Sequence, residues 1–269
     1  MQEAQPFRVA QLSDAHLSPR VPGFAANFGG AAAAVRAAAA DLLVATGDLS
    51  LDGAGVPAEL AAARDAHAGL APDWAAVPGN HDVGDAAPQP VTPDRLAAWE
   101  AAFGPRRFRR DAPGWRLLGL DAQALDDAQW DWLAAQARGA PRIALFLHKP
   151  VMLDAMDEPD SPWALPRAAR ARLLGLLRPA FVACGHVHQA RDHAPAGLRQ
   201  IWAPATSFIL GDRWQRRWGE KCLGWTEHRL HPDGRAEHIL HRLPALDLHD
   251  LGEMPEVYGP HTPLEGGPA

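Results

Sequence analysis

The chain is poor in cysteine and in long apolar stretches. Its two cysteines, Cys184 and Cys222, are too few for a disulfide framework, and each lies in an apolar run, so we expect buried free thiols. The most apolar stretch, AAAAVRAAAADLLVA, is interrupted by Arg36 and Asp41 and is too short to span a membrane. The stretch MQEAQPFRVAQLSD has no basic segment followed by an apolar one, so no signal peptide is predicted. These absences favour a soluble, cytoplasmic protein.

Positive charge is also scarce. The 269 residues carry a formal net charge of -6, the pI is about 6.1, and the only lysines are Lys149 and Lys221. Nucleic-acid binding needs an excess of basic side chains facing the phosphates, so the charge argues against a nucleic-acid polymer as partner. No amphipathic basic segment indicates docking to a membrane surface. The sequence gives no signal for an oligomeric state.

The chain does contain a regular alternation of short apolar runs with helical patterns. The apolar runs have the length of buried strands and are bounded by turn residues. They cover residues 7–12, 42–45, 74–77, 143–147 and 181–183. Patterns rich in Ala, Leu and Arg predict helices over residues 31–40, 58–69, 93–103, 128–137 and 166–177, and Thr92-Pro93 is a typical helix start. The alternation predicts an α/β fold whose sheet is covered by helices.

Two further regions depart from this alternation. Residues 106–111 and 115–121, separated by Pro113-Gly114, predict a hairpin inside the series. After residue 195 strands follow one another without helices, over 198–203, 222–230 and 235–243, which predicts a second, antiparallel-edged sheet. Residues 1–245 are therefore expected to form the domain. Residues 246–269, rich in Pro and Gly, are expected to form a tail that packs lightly or is disordered. Residues 252–269 of this tail are expected to be dispensable for turnover.

Polar side chains follow five of the predicted strands. In open α/β sheets, ligands bind outside the carboxyl ends of the strands, so we expect these five loops to converge. Asp14 precedes Asp48 by 34 residues and Asp48 precedes Asn80 by 32, about the length of one βαβ unit each. The candidate ligands at the five strand ends are Asp14, His16, Asp48, Asn80, His148, His186 and His188.

The chemistry of these side chains indicates a metal site. Carboxylate, amide and imidazole donors without thiolate suit Zn, Mn, Fe, Co or Ni. Seven ligands are too many for one ion with an open position, but they suit two ions that share a bridging carboxylate. Gly47, Gly79 and Gly185 give the backbone room to turn sharply behind ligands. Singly, Asp14 could cap a turn and His148 could be a core histidine, but the ordered set predicts a two-metal site.

The ordered set Asp-x-His, Gly-Asp, Gly-Asn-His-Asp, His and Gly-His-x-His resembles the calcineurin-like metallophosphoesterase superfamily over about residues 7–245. The stretches GNHDVGD and LFLHKP look most like its class III cyclic-nucleotide phosphodiesterase branch. The resemblance implies a four-layer αββα sandwich of two facing mixed β-sheets. It implies two divalent ions per chain (Mn, Fe, Zn or Co), one held by Asp14, His16, Asp48 and His188 and the other by Asp48, Asn80, His148 and His186, with Asp48 bridging.

The stretch VPGNHDVGD carries the catalytic residues that the resemblance implies. Asn80 would bind metal and contact the phosphate. His81 would lie beside the phosphate, stabilise the transition-state charge and protonate the leaving oxygen. Asp82 would orient His81 or fix the loop. Asp85 has no chemical role in this interpretation and is expected to cap a turn.

The loops over residues 17–30 and 152–163 are expected to form the pocket rim. Lys149 is as consistent with a contact to a substrate phosphate as with an outward surface position. Four aromatic side chains could stack on a base, although packing is the commoner role: Trp163, Trp202, Trp214 and Phe208. Six histidines away from the strand ends are interpreted as surface or core residues: His67, His228, His231, His238, His241 and His249.

The sequence therefore predicts a metal-dependent phosphoesterase that hydrolyses a small phosphodiester such as a cyclic nucleotide, with a binuclear-metal-activated hydroxide as nucleophile. A phosphomonoesterase acting on a nucleotide, a sugar phosphate or a phosphoprotein is the alternative. A lipid-linked pyrophosphate hydrolase is disfavoured because no amphipathic basic segment is present, and a nuclease is disfavoured by the acidic net charge. A non-catalytic binding module on the same fold is a remote alternative, because such a protein should have lost ligands or His81, and all of them are present.

Overall fold

The computed structural model describes residues 5–264 of the chain. Its helices, in chain order, are α1 (Pro22–Ala38), α2 (Ala58–His67), α3 (Asn80–Val83), α4 (Pro93–Phe103), α5 (Asp127–Ala137), α6 (Arg167–Leu176) and α7 (Pro255–Tyr258). Helix α4 begins as predicted, because Pro93 occupies its first turn and the Thr92 hydroxyl accepts the Arg95 N–H at 3.3 Å. Among the helices of this range, none combines the length and the apolar character needed to cross a membrane.

The strands form two large sheets and one short pair. They are β1 (Phe7–Leu12), β2 (Leu42–Thr46), β3 (Asp73–Val77), β4 (Phe108–Ala112), β5 (Trp115–Gly119), β6 (Ile143–Phe146), β7 (Phe181–Cys184), β8 (Arg191–His193), β9 (Gln200–Trp202), β10 (Phe208–Ile209), β11 (Gly224–Leu230), β12 (Ala236–Arg242) and β13 (His249–Asp250). The first sheet has the order β12-β11-β1-β2-β3, the second has the order β4-β5-β6-β7-β9-β8, and β10 pairs with β13.

Three apolar layers separate the two sheets from each other and from the helices. Strand β2 shows the alternation that produces them: Leu42 and Val44 face the layer between the sheets, whereas Leu43 and Ala45 face the helices. The middle layer joins β1, β2 and β3 to β5, β6 and β7. The outer layers place α1, α2 and α4 on the first sheet and α5 and α6 on the second. The predicted αββα sandwich of two mixed sheets is therefore confirmed.

Each sheet combines parallel central strands with antiparallel edges. Strands β1, β2 and β3 run parallel, with Val9 opposite Leu42 and Val44 opposite Ala75. Strands β5, β6, β7 and β9 run parallel in the second sheet. The predicted hairpin is present as β4 and β5, whose Ala112–Trp115 register leaves a two-residue turn. Parallel strands buried on both faces account for the continuous apolar runs in the sequence.

Two expectations about the elements are corrected by the structure. The late strands do not form a sheet of their own: β11 and β12 extend the first sheet beyond β1, while β9 and β8 extend the second beyond β7. Residues 22–30 are not a rim loop but the first half of α1, which starts at Pro22. The pair Gly29-Gly30 inside that helix hides its pattern, because glycine is a poor helix former.

The two thiols differ in burial. Both cysteines are free within the described part of the chain. Cys184 is buried at the end of β7, as predicted, whereas Cys222 is half-buried in the loop before β11. The prediction of a buried thiol is therefore right for Cys184 and wrong for Cys222, which precedes β11 instead of lying inside it.

Candidate metal centre

The predicted ligands meet where strands of both sheets end. The first sheet contributes Asp14 and His16 after β1, Asp48 after β2 and Asn80 after β3. The second sheet contributes His148 after β6, and His186 and His188 after β7. Their ligand atoms form three overlapping groups, each within 4.8 Å: Asp14, His16 and His188; His16, Asp48 and His81; and Asp48, His148 and His186. The Asn80 side-chain oxygen lies 3.1 Å from His148 Nε2, so all seven side chains are contiguous.

The backbone at these loops is unusual in conformation. Seven described non-glycine residues have φ values in the left-handed region, and five of them are predicted ligands: Asp14, His16, Asp48, His186 and His188. Such conformations cost free energy for residues that carry a Cβ and persist where the surrounding structure enforces them. The bends turn successive side chains in His186-Val187-His188 toward the same centre, which an extended chain would not do.

Two of the three glycines behind the ligands are required because they have no side chain, and not because of their backbone conformation. Gly47 has a φ of +88°, so the predicted sharp turn is present there. Gly79 and Gly185 lie outside the left-handed region, but a Cβ on Gly79 would collide with the Asp48 carboxylate and one on Gly185 with Ser13 and Asp14. Close approach of neighbouring loops therefore explains these two glycines.

Each of the four ligand histidines has one ring nitrogen engaged outside the centre. His148 Nδ1 lies 2.8 Å from the Thr46 carbonyl, His188 Nδ1 lies 2.9 Å from the Phe208 carbonyl, and His186 Nε2 lies 2.9 Å from the Pro162 carbonyl. A carbonyl only accepts, so these nitrogens carry the hydrogen and the other ring nitrogen of each neutral imidazole presents a lone pair to the centre. For His16 the outer partner is the Tyr258 hydroxyl, 2.8 Å from Nδ1.

The inward nitrogens face one another in two pairs. His16 Nε2 lies 3.3 Å from His188 Nε2, and His186 Nδ1 lies 3.2 Å from His148 Nε2. Two lone pairs at this distance repel each other unless a positive charge lies between them. The donor set therefore fits two cations, one at each pair, and the nitrogen and oxygen donors are those of a divalent transition metal.

Two buried carboxylates complete the centre. Asp14 accepts the His186 backbone N–H at 3.0 Å, and its Oδ1 lies 3.3 Å from His188 Nε2. Burial would raise the pKa of Asp14, but His188 and His148 outweigh it and hold this pKa down to about 2. Burial also opposes ionisation of Asp48, yet His148 and His81 keep the pKa of Asp48 well below its usual value. Both carboxylates are therefore available as anions.

The imidazoles next to the carboxylates respond in the opposite direction. Burial would lower the pKa of His148, but Asp48 raises it to about 9, and Asp14 raises the pKa of His188 in the same way. Burial lowers the pKa of His16 and lowers that of His186 to about 3. Each pair thus contains one nitrogen that holds a positive charge readily, and a metal ion must displace that proton to bind.

Asp82 fixes the loops instead of orienting His81. Its carboxylate accepts the N–H groups of Gly79 at 2.9 Å and Ser50 at 2.9 Å, and the Ser50 hydroxyl at 2.6 Å. These contacts join the loop after β3 to the loop after β2, which carries Asp48. Burial, together with Asp48, raises the pKa of Asp82 to about 6. Among its described contacts none reaches the His81 ring.

Two cavities adjoin the centre, and both are lined by Asn80, His81 and Asp85. The first, of about 330 Å³, has apolar walls formed by Trp163, Phe208, Leu210, Leu251 and Tyr258. The second, of about 450 Å³, is bordered by Arg20, Asp52 and the stretch Ala86–Gln89. Trp163 and Phe208 are thus at the site, as considered from the sequence. Trp202 is buried in the core, and Trp214 packs in a cluster with Leu251.

Lys149 and Asp85 form an ion pair at the edge of these cavities. Lys149 is 5% exposed, and its Nζ donates to Asp85 Oδ2 at 2.6 Å. The outward surface position considered for Lys149 is therefore wrong, and Asp85 binds Lys149 instead of capping a turn with its side chain. The pair joins the loop after β3 to the loop after β6, one from each sheet.

The family model described as calcineurin-like phosphoesterase matches residues 7–190, which is more than half of the chain. The chain belongs to this family. The match contains all the strand-end ligands, from Asp14 to His188. The resemblance stated from the sequence is therefore confirmed.

The chain is similar in sequence to a phosphodiesterase and in fold to solved phosphatase structures. The 3',5'-cyclic adenosine monophosphate phosphodiesterase CpdA of Escherichia coli K12 is 26% identical over 214 residues, which cover 76% of this chain and 74% of CpdA. A dimetal phosphatase from Danio rerio superposes with a TM-score of 0.62 at 15% identity, covering 89% of this chain and 99% of the phosphatase. Purple acid phosphatase PPD1 from yellow lupin superposes with a TM-score of 0.60 at 12% identity, and the superposition covers 93% of this chain and 53% of the phosphatase.

Membership of the calcineurin-like phosphoesterase family and the similarity to a phosphodiesterase make this chain a metal-dependent phosphoester hydrolase, so the prediction of an enzyme is confirmed. The predicted functional residues lie together at the junction of the two sheets. The identity of the metals and the role of each residue stay predictions.

The sequence analysis missed one residue of the site, Tyr258. The segment 246–269 was expected to pack lightly or to be disordered, but its described part contains β13, a 3-10 turn over Leu251–Glu253 and α7. Leu251 is buried, and Tyr258 contacts His16. The expectation is therefore wrong for this part, whereas residues 265–269 lie outside the described residues. Tyr258 is the only tyrosine of the chain, and this was the one feature of the sequence that could have indicated a role for it in the site.

Proposed function

We propose that this phosphoesterase hydrolyses a small phosphodiester, such as a 3',5'-cyclic nucleotide, with two divalent ions held by the seven strand-end ligands. The observation that carries the proposal is the orientation of the four ligand histidines. Each has one ring nitrogen engaged by an oxygen outside the centre, and the inward nitrogens face each other at 3.2 and 3.3 Å. Two buried carboxylates lie against the same nitrogens.

Asp48 is assigned as the bridging ligand because it lies between the two pairs. Its Oδ2 is 3.2 Å from His148 Nε2 and 3.7 Å from His16 Nε2. One ion would then be held by Asp14, His16, Asp48 and His188, and the other by Asp48, Asn80, His148 and His186. When bound, such a pair supplies Lewis acidity toward a phosphoryl oxygen and lowers the pKa of a water molecule.

His81 is assigned the transfer of a proton to the leaving oxygen. Its ring lines both cavities, and its backbone N–H donates to Asp48 Oδ1 at 2.8 Å, which fixes the start of α3 against the centre. Ring opening of a cyclic nucleotide breaks a P–O bond and leaves a strongly basic ribose oxygen. That oxygen needs a proton as the bond breaks, and a histidine beside it can donate one.

The apolar cavity supports a substrate with a flat, apolar group. Trp163, Phe208 and Tyr258 give it aromatic walls, and its volume of about 330 Å³ is in the range of small-molecule sites. A nucleobase fits such walls by stacking. The similarity to CpdA, a cyclic adenosine monophosphate phosphodiesterase, favours a cyclic nucleotide over the alternative of a phosphomonoester. The net charge of -6 favours a small substrate over a nucleic-acid polymer.

The test is a substrate panel with the metal-free protein reloaded separately with Mn, Zn, Fe(II) or Co. The panel contains 3',5'-cyclic AMP, bis-p-nitrophenyl phosphate and 5'-AMP. We expect kcat/KM for cyclic AMP to exceed that for 5'-AMP by at least about tenfold, because a hydroxide attacks a singly charged diester more readily than a monoester that carries nearly two negative charges at pH 7. Both substrates carry the same base and release a ribose oxygen, so the ratio reports the preference for a diester. A preference for 5'-AMP would contradict the proposal in favour of a phosphomonoesterase.

A matched pair of tryptophan variants tests the cavity. Trp163→Ala should lower kcat/KM for cyclic AMP about tenfold or more, since base stacking contributes about 1–3 kcal/mol per base. Hydrolysis of bis-p-nitrophenyl phosphate should fall less. Trp132→Ala, on α5 away from both cavities, is the control and should leave both rates unchanged.

A further inference from the structure

The C-terminal segment reaches the centre through a single side chain. Tyr258 ends α7, and its hydroxyl lies 2.8 Å from His16 Nδ1 and 2.9 Å from the Leu51 carbonyl. The Leu51 carbonyl only accepts, so the single phenolic hydrogen is donated to it. The Tyr258 oxygen must then accept the hydrogen of His16 Nδ1, which leaves the lone pair of His16 Nε2 directed at His188 and Asp48.

This arrangement makes His16 different from the other ligand histidines. His148, His186 and His188 are held by backbone carbonyls of the main body, whereas His16 is held by a side chain that arrives from residue 258. A partner outside the ligand set fixes the tautomer and the ring orientation of a metal-binding histidine. The correct presentation of His16 therefore depends on the C-terminal segment.

The same ring also covers the proposed general acid. The Tyr258 and His81 ring centroids are 4.7 Å apart, and those of His81 and His16 are 4.8 Å apart. Phe208 packs against His16 with a centroid separation of 4.7 Å. His16 is thus enclosed by Tyr258, His81 and Phe208, and the Tyr258 ring is also a wall of both cavities.

The segment is anchored to the body by contacts that involve no ligand. Strand β13 pairs in parallel with β10, and Asp250 accepts the Gly211 N–H at 2.9 Å. Asn27 on α1 binds both the N–H and the carbonyl of Asp247, at 3.0 and 2.8 Å. Leu251 is buried in a cluster with Phe24 and Phe208. These contacts fix the position of Tyr258 without the participation of any ligand side chain.

We propose that Tyr258 is a positioning residue of the metal centre, which holds His16 with Nε2 facing inward and packs against His81, so that the C-terminal segment is part of the active site. This inference rests on the proposed two-metal function.

The first experiment measures metal affinity in Tyr258→Phe, which keeps the ring and loses the hydroxyl acceptor. Affinity for Zn or Co, measured by competition with a chromophoric chelator, should fall about 10- to 100-fold for one ion and stay unchanged for the other, the usual scale for loss of such a partner. Glu256→Gln, an exposed change on the same helix, is the control and should bind both ions as the wild type does. Unchanged affinity in Tyr258→Phe would overturn the proposal.

The second experiment needs no variant of Tyr258. Because the chain has one tyrosine, protein labelled with 3-fluorotyrosine gives a single fluorine resonance that reports Tyr258. Adding Zn to the metal-free protein should shift this resonance, and the shift should be lost in His16→Gln. If Zn binds but the fluorine resonance does not shift, the inference about Tyr258 is overturned and the proposed function is not. A wild-type protein that binds no Zn overturns the proposed function instead.

Discussion

Buried and half-buried histidines face each other in pairs in two regions of the molecule, and the pairs differ in how their ring nitrogens are hydrogen-bonded. His228 and His238 face each other across β11 and β12, with 2.7 Å between their Nδ1 atoms. His228 Nε2 lies 3.0 Å from Gln11 Oε1, and the Gln11 amide nitrogen is engaged with Thr46 and Cys184. Gln11 Oε1 must therefore accept from His228, whose Nδ1 then accepts from His238. Every hydrogen bond joins one donor to one acceptor.

The pairs at the metal centre cannot be arranged in this way as neutral rings. Their outer nitrogens already donate to oxygens, so acceptor faces acceptor in His16–His188 and in His148–His186. The pKa values show a related difference. Burial lowers the pKa of both members of the His228–His238 pair, to about 4 for His238. At the centre burial also lowers the pKa of His16 and of His186, but Asp48 and Asp14 raise those of His148 and His188 against the effect of burial. Burial therefore does not distinguish a metal-binding histidine from a structural one. The distinguishing feature is that the inward nitrogen of a metal-binding histidine faces another acceptor, so that only a cation between them makes the contact favourable.

The largest expected effect that tests this division is the loss of metal in Asp48→Ala. This change removes the carboxylate that lies between the His16–His188 and His148–His186 pairs, so both ions should be lost. Turnover should fall by more than about 100-fold, which exceeds the loss expected when a residue that only contacts a ligand is replaced. His16→Ala, which removes one ligand of one ion, should lose less metal and less activity. Metal analysis of the purified variants, together with kcat/KM, measures both.

The control for this prediction is the core pair. His228→Gln should retain both ions, because the His228–His238 bond involves no predicted ligand. Full metal content in Asp48→Ala would refute the bridging assignment. Loss of metal in a folded His228→Gln variant would show that the His228–His238 pair is not purely structural.

The second prediction concerns His81, which lies beside the site pairs. His81→Asn should retain both metals and the fold if His81 is not a ligand. The rate with cyclic AMP should fall by about 100-fold or more, because a ribose oxygen needs a proton, whereas bis-p-nitrophenyl phosphate should lose little, because nitrophenolate leaves readily as an anion. Equal losses on the two substrates would mean that His81 stabilises charge without donating a proton, and lost metal would mean that it is a ligand.

The smallest expected effect concerns His67, a buried histidine without a carboxylate partner. His67 Nδ1 donates to the Ala63 carbonyl at 2.8 Å, and burial lowers its pKa to about 4. In the unfolded chain His67 takes up a proton near pH 6.5, whereas in the folded protein it does so only near pH 4. The folded state therefore has its full stability above pH 6.5, and the free energy of unfolding decreases as the pH falls toward 4. Replacing His67 by Phe should therefore reduce the loss of stability between pH 7.5 and pH 5 by about 2 kcal/mol.

Urea unfolding of metal-free wild type and His67→Phe at the two pH values measures this difference, and Phe suits a ring that packs against Phe28 at 4.5 Å. An identical pH dependence in the two proteins would show that His67 is not held neutral by the fold.

The ligands could be found from the sequence because each follows a strand whose apolar run is visible locally. Asp14, Asp48 and His148 needed only the rule that strand ends converge. The partner of His16 could not be found in this way. Tyr258 follows a Pro- and Gly-rich stretch and reaches the site through the pairing of β13 with β10, across 41 residues between Phe208 and His249. Such pairing depends on tertiary contacts, which leave no periodic pattern in the sequence.

The placement of the late strands was missed for the same reason. The strand pattern over 222–230 was visible, but its antiparallel pairing with β1, in which Val9 lies opposite His228, depends on which sheet edge is free. The extent of α1 was hidden by Gly29-Gly30, because packing of Phe24 and Asn27 overrides the poor helical propensity of that pair.

The left-handed backbone at five ligands has a consequence for how this family can change over generations. Each such residue that carries a Cβ costs about 1–2 kcal/mol relative to an ordinary conformation, and the sum over Asp14, His16, Asp48, His186 and His188 is comparable to the net stability of a domain. Glycine relieves this cost at an entropic penalty of about 0.5–1 kcal/mol. A lineage released from selection for hydrolysis could therefore gain stability by replacing a ligand with glycine, and the first lesion in an inactive descendant is expected at these loops.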